Sequence, residues 1–286
     1  MKKRKTVEYK KDGSDKRLTI QITIIRIEGY GPWTLTLGSD REARLQMLQS
    51  KIYYDVQRLF SERECLVYSN RFDEYVAISN GLSVSDHIAI HNQLTGLYTD
   101  FKISMTIGRG ETSFEANINA HRSRQSKEAL TSAASIFGPP PNNSSPEFST
   151  SKSLHNASDL TGLNGDFAQI MHIDVNDSRK ISSSLTPYEV TSLMAKVYSL
   201  LSEEFLKKNC MTFYIGGDNF MVISNDLSEE DAKKIISRVG SAAGVKLNCG
   251  IGVGNSGRKA ADNATKALDT IRDLREKGRL ESVFRI

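Results

Sequence analysis

Three short landmarks occur twice along these 286 residues, in the same order and at a nearly fixed distance. Ile25-Arg26-Ile27-Glu28 returns as Met171-His172-Ile173-Asp174, an offset of 174 − 28 = 146. Phe72-Asp73-Glu74-Tyr75, with the apolar run behind it, returns as Gly217-Asp218-Asn219-Phe220, an offset of 217 − 72 = 145. Ile107-Gly108-Arg109-Gly110 returns as Ile251-Gly252-Val253-Gly254, an offset of 251 − 107 = 144. Internal repetition constrains a fold more than any local propensity does. The chain reads as one module written twice, each copy large enough to bury its own core.

A change of composition separates the copies. Residues 138–165 are rich in Pro, Ser, Asn and Gly and hold four of the six prolines, which marks a linker or long surface loop. The expected division is a basic disordered tail over 1–17, a first domain over 18–137, the linker over 138–165 and a second domain over 166–286. In the first copy a β-rich run (18–28) precedes a helix over 40–60, where Leu45, Leu48, Ile52, Val56 and Leu59 keep helical spacing. Short strands near 65–69 and 75–79 follow, then a helix over 85–97, a strand over 101–107 and a helix over 112–136. The second copy repeats this with strands near 168–175, 210–215, 220–224 and 245–250, and helices near 187–207, 229–239 and 258–276. The order βαββαβα, twice, predicts an α+β fold made of two ferredoxin-like sheets, with helices on one face and the other face free. In that topology the end of the first strand meets the hairpin between the second and third. Asp174 then lies beside Asp218, and Glu28 beside Asp73.

Composition narrows the classes. The chain is 38% apolar and 25% charged, as expected of a soluble globular protein, and no run approaches the roughly 20 apolar residues of a membrane span. Its start lacks the apolar segment of a secretory signal, so a cytoplasmic location is expected. Residues 1–17 hold eight Lys/Arg against three Asp/Glu, so removing this surplus of 8 − 3 = 5 from the net +4 leaves 4 − 5 = −1. No broad basic face for specific nucleic-acid binding is expected. Cys65, Cys210 and Cys249 show no zinc spacing and read as reduced core thiols.

Two carboxylates converging at the mouth of a sheet repel one another unless a cation lies between them. Hard oxygen ligands of this kind suit Mg²⁺, which completes its shell with water and substrate phosphates. Two such ions can stabilise both attacking and leaving oxygens at phosphorus. Asp174 and Asp218 are the candidates in the second copy, Asp73 and Glu28 in the first; the plainer reading is that these residues shape turns. His172 shares a strand face with Asp174 and is a candidate acid–base group or a hydrogen-bonded, half-buried histidine. Asn176, Ser178, Arg179 and Lys180 form a loop that either contacts phosphates or is merely solvated, with Gly216, Gly217 and Asn219 across from it. In the first copy, Trp33 beside Tyr30 either stacks on a base or fills a rigid turn. The paired glycines at 108/110 and 252/254 read as turn glycines, not phosphate loops.

Taken together, Ile27-Glu28-Gly29-Tyr30-Gly31-Pro32-Trp33-Thr34, Asn70-Arg71-Phe72-Asp73, His172-Ile173-Asp174-Val175-Asn176 and Ile215-Gly216-Gly217-Asp218-Asn219-Phe220 resemble archaeal GTP cyclohydrolase III. The last segment is also similar to the GGDEF motif of diguanylate cyclases. The resemblance runs from about residue 20 to residue 275 and implies duplicated palm-type (nucleotide-cyclase-like) domains. It implies a hydrolase that opens the imidazole ring of GTP at C8 and releases pyrophosphate in flavin and deazaflavin biosynthesis. It also implies two Mg²⁺ ions, help from a monovalent cation such as K⁺, and a homo-oligomer, dimer or tetramer. Glu28-Gly29 and Glu74 depart from the family's usual Asp-Asn and Asn. A nucleotide cyclase or dinucleotide synthase, or a non-catalytic nucleotide-binding relative, are the competing readings.

Overall fold

A computed structural model of the chain describes residues 19–126, 135–138, 167–225 and 227–286. The basic tail and nearly all of the linker lie outside these residues. The first copy runs β1 (Ile20–Glu28), α1 (Tyr30–Leu35), α2 (Arg41–Ser61), β2 (Leu66–Arg71), β3 (Glu74–Ile78), α3 (Val84–Leu97), β4 (Lys102–Gly110), α4 (Ser113–Ser126) and β5 (Ile136–Phe137). The second runs β6 (Ala168–Val175), α5 (Ser178–Ser184), α6 (Pro187–Leu206), β7 (Met211–Gly216), β8 (Asn219–Ile223), α7 (Glu229–Ala243), β9 (Leu247–Gly254), α8 (Gly257–Glu276) and β10 (Val283–Arg285). Each copy forms its own five-stranded sheet, in the orders β2-β3-β1-β4-β5 and β10-β9-β6-β8-β7. The central antiparallel β3-β1-β4 and β8-β6-β9 ladders are those of the ferredoxin-like fold expected from the repeat, and of the palm-type domains that the resemblance implies. No helix among the described residues is long and apolar enough to cross a membrane.

The helices are set by pattern and by caps. Ile52, Val56, Leu59 and Phe60 of α2 and Ile90 and Leu94 of α3 are buried against Ile25, Ile27 and Met105 of the sheet. Ser83 with Asp86, and Thr186 with Glu189, close capping boxes at the starts of α3 and α6. All three cysteines are free and buried.

Two expectations need correction. The second sheet face is not free: α4 and α8 cover it in their respective copies, because β5 and β10 run parallel to β4 and β9 and a parallel neighbour needs a crossover. Ala116 and Ala120 of α4, Ala260 and Ala264 of α8, and Ile22, Ile24, Ile170 and Ile223 of the two sheets then share one core between the copies. Contacts across this seam are reciprocal. Phe114 N–H donates to Asn209 O at 3.2 Å, and Arg258 N–H donates to Glu64 O at 3.2 Å, the same bond made in both directions. Tyr68 stacks on its own counterpart Phe213, ring centroids 4.6 Å apart.

The second correction concerns register. Ser79 N–H donates to Gln21 O and Ser224 N–H to Gln169 O, at 3.0 and 2.9 Å. The Gln21 and Gln169 amides then reach Leu82 O and Leu227 O, at 3.1 and 2.9 Å. Ile27 N–H donates to Asp73 O and Val175 N–H to Asp218 O. The first strands of the copies therefore superpose at 169 − 21 = 148, two residues from the offset that the repeated motif suggests. Gly29 and Asp177, also 148 apart, are the left-handed residues that open α1 and α5, with φ of 65° and 57°. In space the counterpart of Asp174 is Arg26, and that of Glu28 is Asn176.

Candidate active site

β6 alternates its side chains. Met171, Ile173 and Val175 enter the core beneath α6 and α7, which leaves His172 and Asp174 on the face crossed by α8. Helix α8 lies unusually close because β9 presents glycine to it: a Cβ at Gly252 would sit 2.0 Å from Ala264 N. The glycines of β9, like Gly108 of β4 under α4, are thus contact glycines within strands, not the turn glycines expected. The close crossing brings Thr265, Arg272 and Arg275 of α8 to the rim where β6 ends.

Asp174 is 4% exposed. Its Oδ1 accepts from the Asn248 amide at 2.8 Å and its Oδ2 from Arg272 Nη2 at 2.7 Å. Arg275 donates to Asn176 Oδ1 at 2.7 Å and to Asn248 Oδ1 at 2.6 Å, fixing the amide that holds Asp174. Asp218 stands in the Gly217-Asp218 turn between β7 and β8, where Gly216 and Gly217 supply the positive φ of 107° and 62°. It is half-buried and takes no part in an ion pair among the described residues. Its carbonyl accepts from Val175 N–H, and Asn219, opposite Asp174 in the ladder, donates its amide to Asp218 Oδ1 at 2.8 Å. With its amide so used, Asn219 offers Oδ1 to His172 Nε2 at 3.0 Å, and Thr265 Oγ1 lies 3.1 Å from His172 Nδ1. The His172 Nε2–H donates to Asn219, whose amide donates to Asp218, and the Thr265 hydroxyl can meet Nδ1 as donor or acceptor. Burial holds the His172 imidazolium below its ordinary range, although Asn219 and Asp174 pull it back up. As placed, His172 orients the carboxylate through Asn219.

The same rim of the first copy is wired differently. Arg26 donates to Glu74 through Nε at 2.7 Å and through Nη2, and Asn70 donates to the other Glu74 oxygen at 2.8 Å. Arg124 of α4 grips both oxygens of Glu28, at 2.7 and 2.8 Å, and Ser104 donates to one of them. Asp73 faces Arg71 at 3.3 Å. Burial alone would raise the pKa of Glu28 and Glu74, yet the hydrogen bonds from Arg124 and Ser104, and from Arg26, outweigh it and hold both below the ordinary carboxylate range. Each carboxylate at this rim already has its own guanidinium.

A family model described as GTP cyclohydrolase III matches residues 22–136 and 144–283. The chain belongs to the GTP cyclohydrolase III family. The curated GTP cyclohydrolase III of Methanocaldococcus jannaschii is 35% identical over 254 residues, covering 88% of each chain. That of Methanosphaera stadtmanae is 35% identical over 257 residues, 88% of this chain and 93% of the relative. That of Methanothermobacter thermautotrophicus is 33% identical over 255 residues, 88% and 94%.

Within that family frame the other candidate residues fall as follows. Asn176 is tied to Arg275, and the expected loop from Ser178 is the short helix α5, on which Arg179 and Lys180 are exposed. Tyr30 and Trp33 likewise lie on a helix, α1. Of the two readings of Trp33, the packing favours the rigid turn with a core Trp: the residue is 9% exposed and its ring meets Phe101 edge-on at 4.7 Å. Tyr30 is half-buried and bonded to Gln49. Asn248, Thr265, Arg272 and Arg275 were not singled out from sequence. Thr265 and Arg272 stand seven residues apart, one helical face over two turns, and that spacing was the available signal.

The donor set of the second rim fits a hard divalent cation. Asp174 at the end of β6 and Asp218 in the adjoining turn stand at one rim, and no group of three or more His, Cys, Asp or Glu among the described residues could hold a metal by itself. A site of that kind suits Mg²⁺, which binds through one or two carboxylates plus phosphates and water. Arg272 is half exposed and can yield Asp174 to such an ion.

Proposed function

We propose that this chain hydrolyses GTP with opening of the imidazole ring at C8 and release of pyrophosphate. The product is 2-amino-5-formylamino-6-ribosylamino-4(3H)-pyrimidinone 5′-phosphate. Water adds at C8 and the C8–N9 bond breaks, leaving the formyl group on N7; a second water cleaves the α–β phosphoanhydride. The observation that carries this reading is the family match over nearly the whole described chain.

The metal-dependent chemistry is proposed for the second rim, with Asp174 and Asp218 holding two Mg²⁺ ions. Such ions, when bound, supply charge stabilisation at phosphorus and lower the pKa of water. The remaining work falls to protein groups. Asn219, held by His172 and Thr265, aims Asp218. Asn248, held by Arg275, aims Asp174. Arg272, once released from Asp174, offers a guanidinium to the phosphates, and Arg179 and Lys180 of α5 are exposed positive charges available to them. Gly216 and Gly217 let the turn backbone approach the phosphates without side-chain hindrance. The family reading also brings K⁺ dependence, a cytoplasmic location and a homo-oligomer to this chain as proposals, the last checked by light-scattering mass.

Incubation with GTP and Mg²⁺ tests the reaction. The expected result is pyrophosphate together with loss of the purine absorbance. Pyrophosphate with an intact purine spectrum would indicate a cyclase or dinucleotide synthase, and nucleotide binding without turnover would indicate a non-catalytic relative.

A further inference from the structure

The two rims share strand order, register and turn position, so their side chains can be compared place by place. Where the second copy has Asp174, the first has Arg26; where the second has Asn219, the first has Glu74, and these two differences answer one another. Arg26 and Glu74 are direct cross-strand partners and close into an ion pair, with the Glu74 side chain 10% exposed. Where the second copy has Asn176, the first has Glu28, and Arg124 of α4 takes both of its oxygens. Only Asp73 and Asp218 are alike, and Asp73 faces Arg71 whereas Asp218 faces amides.

We infer that guanidinium groups stand in for the metal in the first copy, so that this chain binds divalent cations at one rim, in its second half, and holds the first rim closed with internal cations. The inference rests on the proposed metal role of Asp174 and Asp218 and says which half it belongs to. A divalent ion entering the first rim would meet the fixed positive charge of Arg26 in place of a ligand. It would also have to displace a two-pronged Arg124–Glu28 contact, the stronger geometry for a carboxylate. The second rim presents the reverse balance, since Asp218 takes part in no ion pair among the described residues and Arg272, half exposed, can move into solvent. The first copy then serves as the packing partner of the second through the shared seam, and Trp33 of its α1 helix is packed into the core.

Localised cleavage by iron reads the position directly in the wild-type chain. Fe²⁺ replaces Mg²⁺ in the presence of a non-hydrolysable GTP analogue, peroxide and ascorbate are added, and backbone cuts are mapped by mass spectrometry. Cuts confined to segments 174–177 and 216–219 are expected. Cuts at 26–29 or 70–74 would overturn the inference while leaving a metal enzyme in place; absence of Mg²⁺-protectable cuts anywhere, with no Mn²⁺ bound in calorimetry, would overturn both it and the proposed metal role. A second measurement counts Mn²⁺ by calorimetry with the same analogue. Glu28→Gln and Asp73→Asn are expected to leave the stoichiometry unchanged, and Asp174→Asn with Asp218→Asn to remove it entirely. Loss of half the ions from either pair would contradict the inference.

Discussion

The first and second halves of this chain are close copies in backbone and opposites in charge at the rim that matters. In the second, Asp174 and Asp218 are aimed by amides and a histidine, and the one arginine on Asp174 reaches solvent. In the first, Arg26, Arg71 and Arg124 each neutralise a carboxylate. A duplicated scaffold can therefore keep its geometry while its two rims diverge, one with Asp218 held by an amide and outside any ion pair among the described residues, the other with each carboxylate paired to a guanidinium. The difference teaches that strand order alone does not say which half reacts. On the proposed metal role, the charge at a single position, Asp174 against Arg26, does.

The comparison breaks most visibly in turnover. Asp174→Asn and Asp218→Asn are each expected to lower GTP ring opening by at least about tenfold, whereas Glu28→Gln and Asp73→Asn leave it within about twofold, measured by steady-state loss of purine absorbance. Equal losses from both sets would make the halves functionally alike. Stability should show the opposite ranking. Arg26→Met leaves buried Glu74 with Asn70 and the more distant Arg71 alone and should cost about 3 kcal/mol, seen as a lower denaturant midpoint. Arg272→Met, at a half-exposed arginine, should cost roughly 1 kcal/mol or less.

Acid sharpens the contrast further. Glu28 and Glu74 have folded-state pKa values below the ordinary value of about 4.3, so their contribution to stability is present above that pH and is lost as pH falls through the folded values. The stability gap between wild type and Glu74→Gln, measured by urea unfolding, should be full near neutrality and shrink below about pH 4. A gap independent of pH would mean that the ion pair contributes nothing. The smallest expected effect lies at the seam. The Tyr68 hydroxyl is buried with no hydrogen-bond partner, where the other half has Phe213. Tyr68→Phe should be neutral or stabilising by about 1 kcal/mol, since it removes an unpaired polar group without changing the stack.

Much of this architecture was legible in the sequence. The repeat gave the two sheets, and the strand order brought Asp174 and Asp218 to one rim: Val175 N–H bonds to Asp218 O, as the topology requires. The register of β1 was not legible, and the reason is physical. A slip of two residues preserves the inward and outward alternation of a strand, so Ile-x-Ile patterns cannot distinguish an offset of 146 from one of 148. The buried amides of Gln21 and Gln169, with their fixed carbonyl partners, and the matching backbone bonds of Ile27 and Val175 settle it. The reach of Arg272 and Thr265 was hidden for a related reason. It depends on how closely α8 crosses the strands, and that distance is set by glycines of β9 whose role becomes clear only when the helix lies on them. The free sheet face was expected because β5 and β10, two and three residues long, are too short to register as strands.

Anomalous diffraction from crystals grown with Mn²⁺ and a non-hydrolysable GTP analogue tests the central claim most directly. Manganese peaks between Asp174 and Asp218, with Arg272 turned away from Asp174 and no peak beside Glu28 or Asp73, are the expected result. Peaks at the first rim, or an Arg272–Asp174 pair left intact beneath bound nucleotide, would contradict the account.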